Sequence, residues 1–383
     1  MLESNIGRGQ GIAASNASTG QIELGLFQQA LHESIAFTNN TDEKQKWQSL
    51  LETSITSANL SLSNATKNTE LPLDRLSIGT AMLRLYDATK NEALIPTIKA
   101  LQLSAINQKR NTNGGLWYYD NPLNQSAYHN LSYLDGMFSY SPFVILSTKL
   151  DFASDTNNLN EAAAWNQLSI LRSITEREDG LFVHGYDPTQ NHTWAQPSEK
   201  GASPVVWGRA LAWYTLGVVN SIELLETQYS DLISNFKTLY RDLISAQLRA
   251  ADRSLAIEGQ YGVWQIVDRP GATFNGHANF IEASSSLMTA YSLLKGARLG
   301  WLEDDASLKL RAQIAGVGIF NDMRQRYMIV NDNSTLSLNG TSSVSTLSGN
   351  VDYEYYVTRP TVLNSLIGSS AFILAAMEAE RLC

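Results

Sequence analysis

Residues 281–304, IEASSSLMTAYSLLKGARLGWLED, show the pattern that determines the fold. Leu287, Ala290, Tyr291 and Leu294 recur at spacings of three and four residues, which places them on one face of an α-helix. A long link, about residues 251–280, precedes this helix, and a short link at 299–304 follows it. The stretch predicts a helix with a long connection at its N-terminal end and a short one at its C-terminal end.

The same alternation of short and long links extends along the chain. Windows of helical periodicity begin near residues 20, 42, 73, 92, 132, 160, 205, 231, 281, 305 and 360. Short links lie near residues 39–41, 88–91, 153–159, 226–229 and 299–304, and long links near 58–71, 110–131, 176–204, 251–280 and 328–359. In an array of antiparallel helix pairs, alternate links emerge at the same end. We therefore expect all the long links on one face, where a functional site is usual.

Eleven predicted helices, with one more undetected near a terminus, make six antiparallel pairs. We therefore predict an all-α (α/α)6 barrel that forms a single catalytic domain over residues 1–383. An open helical solenoid would produce a similar alternation, but no repeated sequence unit is apparent.

The net charge of −9 narrows the classes of partner. Nucleic acids and anionic membranes would be repelled by such a chain, so neither is expected. An acidic sugar is not excluded, because one arginine in a cleft outweighs the mean field of the protein. No apolar stretch reaches the roughly 18–20 residues that a membrane-spanning helix requires.

Nine Asn-X-Ser/Thr sequons favour a secreted, extracellular glycoprotein. They are at Asn16, Asn39, Asn59, Asn64, Asn124, Asn130, Asn191, Asn333 and Asn339. The only cysteine is Cys383, so an intrachain disulfide is not available as a further indicator of the compartment. No signal peptide is visible, and the prediction of secretion therefore requires that the sequence begins after its cleavage.

The long links combine aromatic residues with candidate acids and bases. Aromatic faces suit the apolar faces of sugar rings, and the links contain Trp117, Trp194, Trp264 and the tyrosines of 353–356. Asp135 lies between apolar neighbours, which favour the protonated form that a general acid requires. The other candidates at this end of the predicted barrel are Asp74, His184, Trp207, Arg209 and Glu282.

Each candidate also has a structural interpretation. A single aromatic ring commonly belongs to the core, and Asp74 could act only through its position at a helix N-terminus. His184 could be a hydrogen-bonded structural residue. Arg209 is a natural bidentate partner for a uronate carboxylate, but it could equally pair with a nearby carboxylate of the protein.

Motifs of other chemistries are missing from the sequence. There is no HExxH, no Cys/His cluster for a metal, no phosphate-binding glycine loop and no nucleophile elbow, so we expect no metal and no cofactor. The glycine-containing segment 7–11 lacks the preceding strand of a nucleotide-binding loop, and we interpret it as flexible chain.

At these residues the chain resembles glycoside hydrolase family 105, the unsaturated rhamnogalacturonyl hydrolases, and more distantly the unsaturated glucuronyl hydrolases of family 88. The resemblance covers most of residues 70–300, and no single motif decides it. The matching segments, in chain order, are Leu73-Asp74 with residues 83–89, 114–117 (GGLW), 133–137 (YLDGM) with 141–143 (SPF), 184–187 (HGYD), Trp194-Ala195, 207–210 (WGRA), 262–265 (GVWQ) and 282–284 (EAS).

The resemblance implies an (α/α)6 barrel without a cofactor, acting on an acidic oligosaccharide derived from pectin. It implies that Asp135 is the catalytic acid and base and that Asp74 assists it or binds substrate. His184, Trp207 and Arg209 match positions that line the sugar subsite, and we add Trp117, Trp264 and Glu282 as substrate-binding candidates. The long 265–281 link and the 328–359 insertion depart from the bacterial pattern. The resemblance therefore does not determine which sugar is the preferred leaving group.

The chemistry implied by the resemblance is hydration of a double bond. The substrate carries a C4=C5 double bond in a terminal uronic acid; Asp135 would protonate C4 and then deprotonate the water that adds at C5. The main alternative is an ordinary inverting glycosidase that cleaves saturated glycosides with Asp135 as acid and Asp74 as base. Two other hypotheses are a polysaccharide lyase and a carbohydrate-binding or scaffold protein without turnover.

Overall fold

The computed structural model describes residues 1–120, 126–152, 159–226 and 231–382, and helices make up most of it. The helices are α1 Leu2–Gly7, α2 Gly20–Phe37, α3 Thr41–Ser57, α4 Ala65–Thr69, α5 Arg75–Thr89, α6 Ile95–Ile106, α7 Gly136–Lys149, α8 Glu161–Thr175, α9 Gly208–Leu225, α10 Ile233–Glu258, α11 Ala283–Arg298, α12 Ala306–Tyr327, α13 Tyr353–Val357 and α14 Leu366–Glu380. Single 3-10 turns cover Glu92–Leu94 and Ser126–Tyr128.

Three short antiparallel strand pairs lie in the links between helices. They are β1 Ser132–Tyr133 with β2 Gly185–Tyr186, β3 Thr273–Phe274 with β4 His277–Ala278, and β5 Met328–Val330 with β6 Leu336–Leu338. Each strand has only two or three residues, which is too short for the alternating pattern that identifies strands in a sequence.

Six helices form a closed inner ring. Helices α2, α5, α7, α9, α11 and α14 pack side by side in this order, and α14 packs against α2 to close the ring. Helices α3, α6, α8, α10 and α12 form the outer layer, and the short α1 packs on the outside of α14. The predicted (α/α)6 barrel is confirmed, and α1 occupies the place of the undetected helix near a terminus.

The sequences of the two layers differ because their environments differ. The inner helix α9 is buried around nearly its whole circumference, as are α7 and α11. The outer helix α10 buries one stripe that includes Phe236, Tyr240 and Leu243 and turns polar residues outward. A helix that is apolar on all sides requires neighbours on all sides, and the inner ring supplies them.

Every periodic window in the sequence corresponds to a helix, and only the short α1, α4 and α13 were not predicted. Each of the five predicted long links leads into the N-terminus of an inner helix, so these links meet at one end of the ring, which we call the mouth. The short links near 153–159 and 226–229, and the Asn124 sequon, lie wholly or largely outside the described residues.

The end opposite the mouth is closed by paired charges. The Lys295 ammonium lies 3.1 Å from a Glu33 carboxylate oxygen and 3.0 Å from one of Glu223, and the Tyr291 hydroxyl donates to Glu33. Burial alone would raise the pKa of Glu33, but Lys295 and hydrogen bonds from Tyr291 and Gln29 lower it to about 2. Arg298 pairs with the buried Glu378 at the same end. Helices α2, α9, α11 and α14 are thereby tied together.

The segment around residues 7–11, which we expected to be flexible, is held against the barrel. Residues up to Gly7 belong to α1, the Arg8 guanidinium donates to the carbonyl of Leu336, and the Gln10 amide donates to that of Asn364. Gly11 has φ +80°, and a side chain there would collide with Phe27. These glycines therefore let the chain turn closely over α2.

None of the helices in the described ranges combines the length and the apolar character needed to cross a bilayer.

Candidate active site

A cavity of about 430 Å³ opens at the mouth of the barrel, between the long links. Its floor and walls include Asp135, Trp207, Arg209 and Trp213 from the inner ring. The links contribute four tyrosines and the segments 14–19 and 344–346; the tyrosines are Tyr118, Tyr119, Tyr128 and Tyr133. We call this space the mouth cavity. Asp135 is the one carboxyl group among the described residues that line it.

The β1–β2 pair places Asp135 beside His184. Tyr133 faces Gly185 across the pair, and the Leu134 amide donates to the carbonyl of His184. A Cβ atom on Gly185 would lie 2.3 Å from the Ser132 carbonyl oxygen, so only glycine permits this approach. The chain then enters α7 directly, with Asp135 at the N-cap position but without a capping hydrogen bond from its side chain.

The backbone around Asp135 is therefore fixed, while its carboxyl group keeps hydrogen-bonding capacity that the protein does not use. Its Oδ2 atom lies 3.3 Å from Nε2 of His184, and neither atom forms a hydrogen bond in the described structure. The other ring nitrogen of His184, Nδ1, is 2.8 Å from the Tyr356 hydroxyl, which fixes the orientation of the ring. Side-chain exposure is 10% for Asp135 and 0% for His184, so the carboxyl is the partner that reaches the cavity.

Asp74 occupies the corresponding position on the preceding inner helix, but it is buried completely. Its Oδ1 atom accepts a hydrogen bond of 2.8 Å from the Tyr118 hydroxyl, and its Oδ2 atom has no partner. Burial raises the pKa of Asp74 to about 8, the Tyr118 hydroxyl opposes this rise, and the negative charge of Asp135 adds to it whenever Asp135 is ionised. Asp74 is consequently a protonated, neutral acid at pH 7. It makes no capping hydrogen bond, so its position at a helix N-terminus does not account for it.

Aromatic rings form a continuous wall beside these acids. The Tyr118 and Tyr133 rings stack in parallel at 4.4 Å, and Tyr133 meets the edge of His184 at 5.1 Å. The indole of Trp207 lies 4.7 Å from the His184 ring on the other side. Such a wall offers flat apolar faces at the position where Asp135 reaches the cavity.

Arg209 lies at the cavity wall and is paired with Glu282, as the structural interpretation of the sequence allowed. Its Nη2 atom donates to Glu282 at 2.7 Å and to Ser342, and its Nε atom donates to Ser284. Glu282 also caps α11 by accepting from the Ser285 amide, and its pKa is lowered because Arg209 and these donors outweigh the effect of burial. The Nη1 atom forms one hydrogen bond within the described residues, of 3.4 Å to the Ser343 carbonyl, so this arginine of the cavity wall retains donor capacity.

The structure brings together five of the predicted site residues: Asp135, Asp74, His184, Trp207 and Arg209. Glu282 lies behind Arg209, is fully buried and does not line the cavity, so its contact is with the arginine. Trp264 is buried beside the N-terminus of α9. Trp117 stacks on His129, with the Lys109 ammonium over its ring. Neither tryptophan lines the mouth cavity.

Several residues of the site were not singled out from the sequence. Tyr133 belongs to the 133–137 (YLDGM) segment and Tyr118 directly follows the 114–117 (GGLW) segment, but neither was proposed as a site residue. Tyr356 belongs to the tyrosine cluster 353–356, and it was not proposed as a partner of His184. Residues 344–346 lie in the 328–359 insertion, and contacts with Tyr133 and Tyr355 hold this segment over the cavity. Tyr133, two residues before Asp135, was the available signal in the sequence.

Within the described ranges, no group of three or more His, Cys, Asp and Glu side chains is arranged to hold a metal ion.

A sugar ring fits between aromatic walls of this kind, and a carboxyl at the cavity supplies the acid that breaking a glycosidic bond requires. Fold and site together define the class of the protein, which is a glycoside hydrolase built on an (α/α)6 barrel. Comparison with known sequences narrows the class: the profile of Glycosyl Hydrolase Family 88 matches residues 21–383, and the chain belongs to this family.

Relatives and solved structures agree with this assignment. Protein Atu3128 of Agrobacterium fabrum (strain C58 / ATCC 33970) is 30% identical over 229 residues, which are 56% of this chain and 89% of that protein. The unsaturated rhamnogalacturonyl hydrolase YesR of Bacillus subtilis (strain 168) is 30% identical over 132 residues, which are 32% of this chain and 34% of that protein. A family 105 glycoside hydrolase of C. acetobutylicum ATCC 824 shares the fold with a TM-score of 0.76 and 22% identity, covering 99% of this chain and 98% of that one. The resemblance identified from the sequence motifs is confirmed.

Proposed function

We propose that this protein removes a terminal Δ4,5-unsaturated uronic acid from rhamnogalacturonan oligosaccharides by adding water across the C4=C5 double bond. Membership of Glycosyl Hydrolase Family 88 supports a glycoside hydrolase. The name of the partly matching Bacillus subtilis relative supports the unsaturated rhamnogalacturonyl substrate.

The observation that carries the proposal is the unequal placement of the two acids. Asp135 is the carboxyl group that lines the mouth cavity, whereas Asp74 is buried behind Tyr118 and protonated. Hydration of a vinyl ether needs one carboxyl group that donates a proton and then accepts one. Hydrolysis with inversion needs two carboxyl groups that both reach the reacting carbon, about 6.5–9.5 Å apart with a water between them.

Asp135 performs both proton transfers in the proposed reaction. Its proton moves to C4, and the positive charge that develops on C5 is shared with the ring oxygen. Water then attacks C5 and gives its proton to the Asp135 carboxylate, which restores the acid. The hemiketal formed at C5 opens, and the glycosidic bond is lost in the rearrangement that follows. His184 orients the carboxylate through the 3.3 Å approach of its Nε2 atom.

Arg209 and the aromatic wall hold the sugar for this step. The Nη1 atom of Arg209 donates to the uronate carboxylate, while Glu282 keeps the guanidinium plane fixed. Trp207 and Tyr133 provide the faces along which the ring lies. Residues 344–346, which line the same cavity, contact the leaving sugar and set the preference for it.

The alternative of an ordinary inverting glycosidase is less well supported. Its base would be Asp74, but that carboxyl has no exposure and a pKa raised by burial to about 8. A base for water must be ionised at working pH and in contact with the water. Asp74 meets neither condition.

Two matched disaccharides test the proposal. One carries a Δ4,5-unsaturated galacturonyl residue on rhamnose, and the other carries the saturated galacturonyl residue on the same sugar. Release of rhamnose is measured by chromatography, with the Asp135→Asn variant as the blank. We expect release from the unsaturated compound only. Release from the saturated compound at a comparable rate would refute hydration and favour the inverting mechanism.

Secretion is a separate part of the proposal, supported by the accessibility of the sequons. Asn16, Asn39, Asn64, Asn191, Asn333 and Asn339 are exposed, and Asn59 and Asn130 are partly exposed. Treatment of protein from its natural host with peptide N-glycosidase is expected to lower its mass. An unchanged mass would count against glycosylation of these sites.

A further inference from the structure

A second cavity, of about 370 Å³, lies between α2, α3 and α5. We call it the lateral cavity. It is distinct from the mouth cavity: the Phe138 ring lines the lateral cavity and packs at 4.7 Å on Trp213, which lines the mouth cavity. Its volume falls within the roughly 300–1,000 Å³ of pockets that bind small molecules. Its residues take no part in the proposed reaction.

An unpaired arginine faces the lateral cavity. Arg84 is half-buried on α5, and within residues 1–120, 126–152, 159–226 and 231–382 its guanidinium has neither a hydrogen bond nor an ion pair. Several other partly buried arginines of this chain are paired, as Arg172 is with Glu176 and Arg298 with Glu378, whereas Arg359 lies over the Tyr355 ring. A partly buried guanidinium without a protein partner keeps its donors available to a carboxylate, with which it forms a charge-assisted hydrogen bond.

The charges at the rim favour a ligand with a single negative charge. Lys44 and Glu52 both line the lateral cavity from α3, and both are exposed. Their opposite charges leave Arg84 as the uncompensated one. One ligand carboxylate would neutralise the charge of Arg84, whereas a polyanion would also be repelled by the Glu52 carboxylate.

Apolar side chains from three helices form part of the wall of the lateral cavity, beside its polar lining residues. Helical spacing on α3 turns Leu51 and Ile55 into the cavity, and Ala81 and Leu85 face them from α5. Deeper inside, the wall is completed by Phe138 and Pro142 of α7. Such walls stabilise a hydrocarbon body by removing it from water.

One buried polar group in the wall lacks a partner. The Gln28 side chain is fully buried and its amide nitrogen donates to Ser54, but its Oε1 atom has no hydrogen bond within the described part of the chain. An unsatisfied buried amide of this kind is destabilising unless a ligand or a water molecule meets it. Gln28 and Arg84 are thus two polar residues of the cavity lining whose hydrogen-bonding capacity is not used within the described part of the chain.

We infer that the lateral cavity is a second binding site, which takes a small monocarboxylate with an apolar body, such as a medium-chain fatty acid. The carboxylate pairs with Arg84, and the hydrocarbon body lies between α3 and α5 against Phe138.

The test uses the fluorescent probe 8-anilinonaphthalene-1-sulfonate, which joins one anionic group to an apolar body, and the whole chain. Titrations are compared for the wild type, Arg84→Gln, the cavity-filling Ala81→Trp, and Arg253→Gln. The last is a matched control, because Arg253 is an exposed arginine on α10 away from the lateral cavity. Circular dichroism verifies that each variant is folded. Decanoate and decanol, which share their chain length and differ in charge, are then used as competitors.

We expect saturable probe binding that Arg84→Gln weakens about tenfold, as loss of one charge-assisted hydrogen bond implies. Ala81→Trp should abolish binding, Arg253→Gln should leave it unchanged, and decanoate should displace the probe much better than decanol. Equal affinity in the wild type and Arg84→Gln, or equal displacement by decanoate and decanol, would overturn the inference. So would displacement of the probe by galacturonate without any effect of Arg84→Gln, since that places the probe in the mouth cavity.

Discussion

Glu33 and Asp74 are carboxyl groups at opposite ends of the inner ring, and they differ in their partners. The Glu33 side chain is 12% exposed, and Asp74 is fully buried. Glu33 accepts hydrogen bonds from Lys295, Tyr291 and Gln29, which lower its pKa to about 2. Among the described residues, Asp74 accepts one hydrogen bond, from the Tyr118 hydroxyl, and burial raises its pKa to about 8. The closed end therefore contains paired charges that hold helices together, and the mouth contains acids whose bonding capacity is left open. Incomplete pairing, rather than burial, therefore distinguishes the carboxyl groups that we propose for the reaction.

The largest effect is expected at the mouth, from Asp135→Asn. An amide has the shape of the carboxyl group but neither donates nor accepts the transferred proton. Turnover should fall at least about 1,000-fold, within the range of a lost general acid, while the melting temperature and the affinity for the substrate stay near the wild-type values. Asp87→Asn, an exposed aspartate at the other end of α5, is the matched control. Activity within tenfold of the wild type would remove Asp135 from the mechanism.

At the closed end the corresponding change is Lys295→Met, which should affect stability. It leaves Glu33 buried without its cation, which costs about 3–5 kcal/mol of the free energy of unfolding. Lys46→Met, which breaks an exposed pair with Glu3, should cost less than about 1 kcal/mol. Denaturant unfolding measures both, and Glu33→Gln together with Lys295→Met should recover part of the loss. Similar losses of unfolding free energy for the two lysine variants would show that the Lys295 pair stabilises the fold no more than an exposed pair does.

Asp74→Asn sharpens the comparison because it should increase stability. In the unfolded chain Asp74 ionises near 3.8, whereas in the folded protein it keeps its proton up to about pH 8. The free energy of unfolding of the wild type therefore falls as the pH rises from 3.8 towards 8, and asparagine avoids this loss. We expect the variant to be more stable by about 2–4 kcal/mol at pH 7 and by little at pH 3.5.

Glu33 should show the opposite dependence in the same titration. Its folded pKa of about 2 lies below its ordinary value of 4.5, so its contribution is present above pH 4.5 and is lost as the pH falls towards 2. Thermal melts at a series of pH values measure both effects. A stabilisation of Asp74→Asn that did not depend on pH would show that ionisation is not its cause.

The smallest effect is expected for Tyr118→Phe, which removes the single donor to Asp74. Loss of this hydrogen bond should lower stability by about 1 kcal/mol. Because the Tyr118 hydroxyl lowers the pKa of Asp74, the variant should raise that pKa further. If a neutral Asp74 is required for turnover, the alkaline limb of the pH–rate profile should move to higher pH. Tyr119→Phe, whose ring also lines the mouth cavity, provides the comparison.

The sequence predicted the helices well because the ring imposes two clear patterns. The outer helix α10 buries one stripe, and the inner helices α7, α9 and α11 are buried nearly all round. The alternation of link lengths follows from the common direction of the inner helices. Positions at the N-termini of inner helices were predictable for the same reason. Asp74, Asp135 and Glu282 all lie at N-cap positions, although only Glu282 uses its side chain to cap the helix.

Contacts between links were not predictable from local patterns. The link between α6 and α7 carries Trp117 and Tyr118 next to each other, yet only Tyr118 lines the mouth cavity, and Trp117 packs on His129. Which of two adjacent aromatic residues faces the site depends on how the link folds, and no periodicity records it. The pairing of Arg209 with Glu282 was similarly open, since the two residues are 73 positions apart.

The central claim is that the mouth cavity hydrates a double bond with Asp135 as its acid. The most direct test follows ultraviolet absorbance of the conjugated double bond and release of rhamnose together, in one reaction with an unsaturated rhamnogalacturonan disaccharide. We expect one double bond to disappear for each rhamnose released, and Asp135→Asn to stop both. Release of rhamnose with unchanged absorbance would contradict it, because the glycosidic bond would then be broken without hydration.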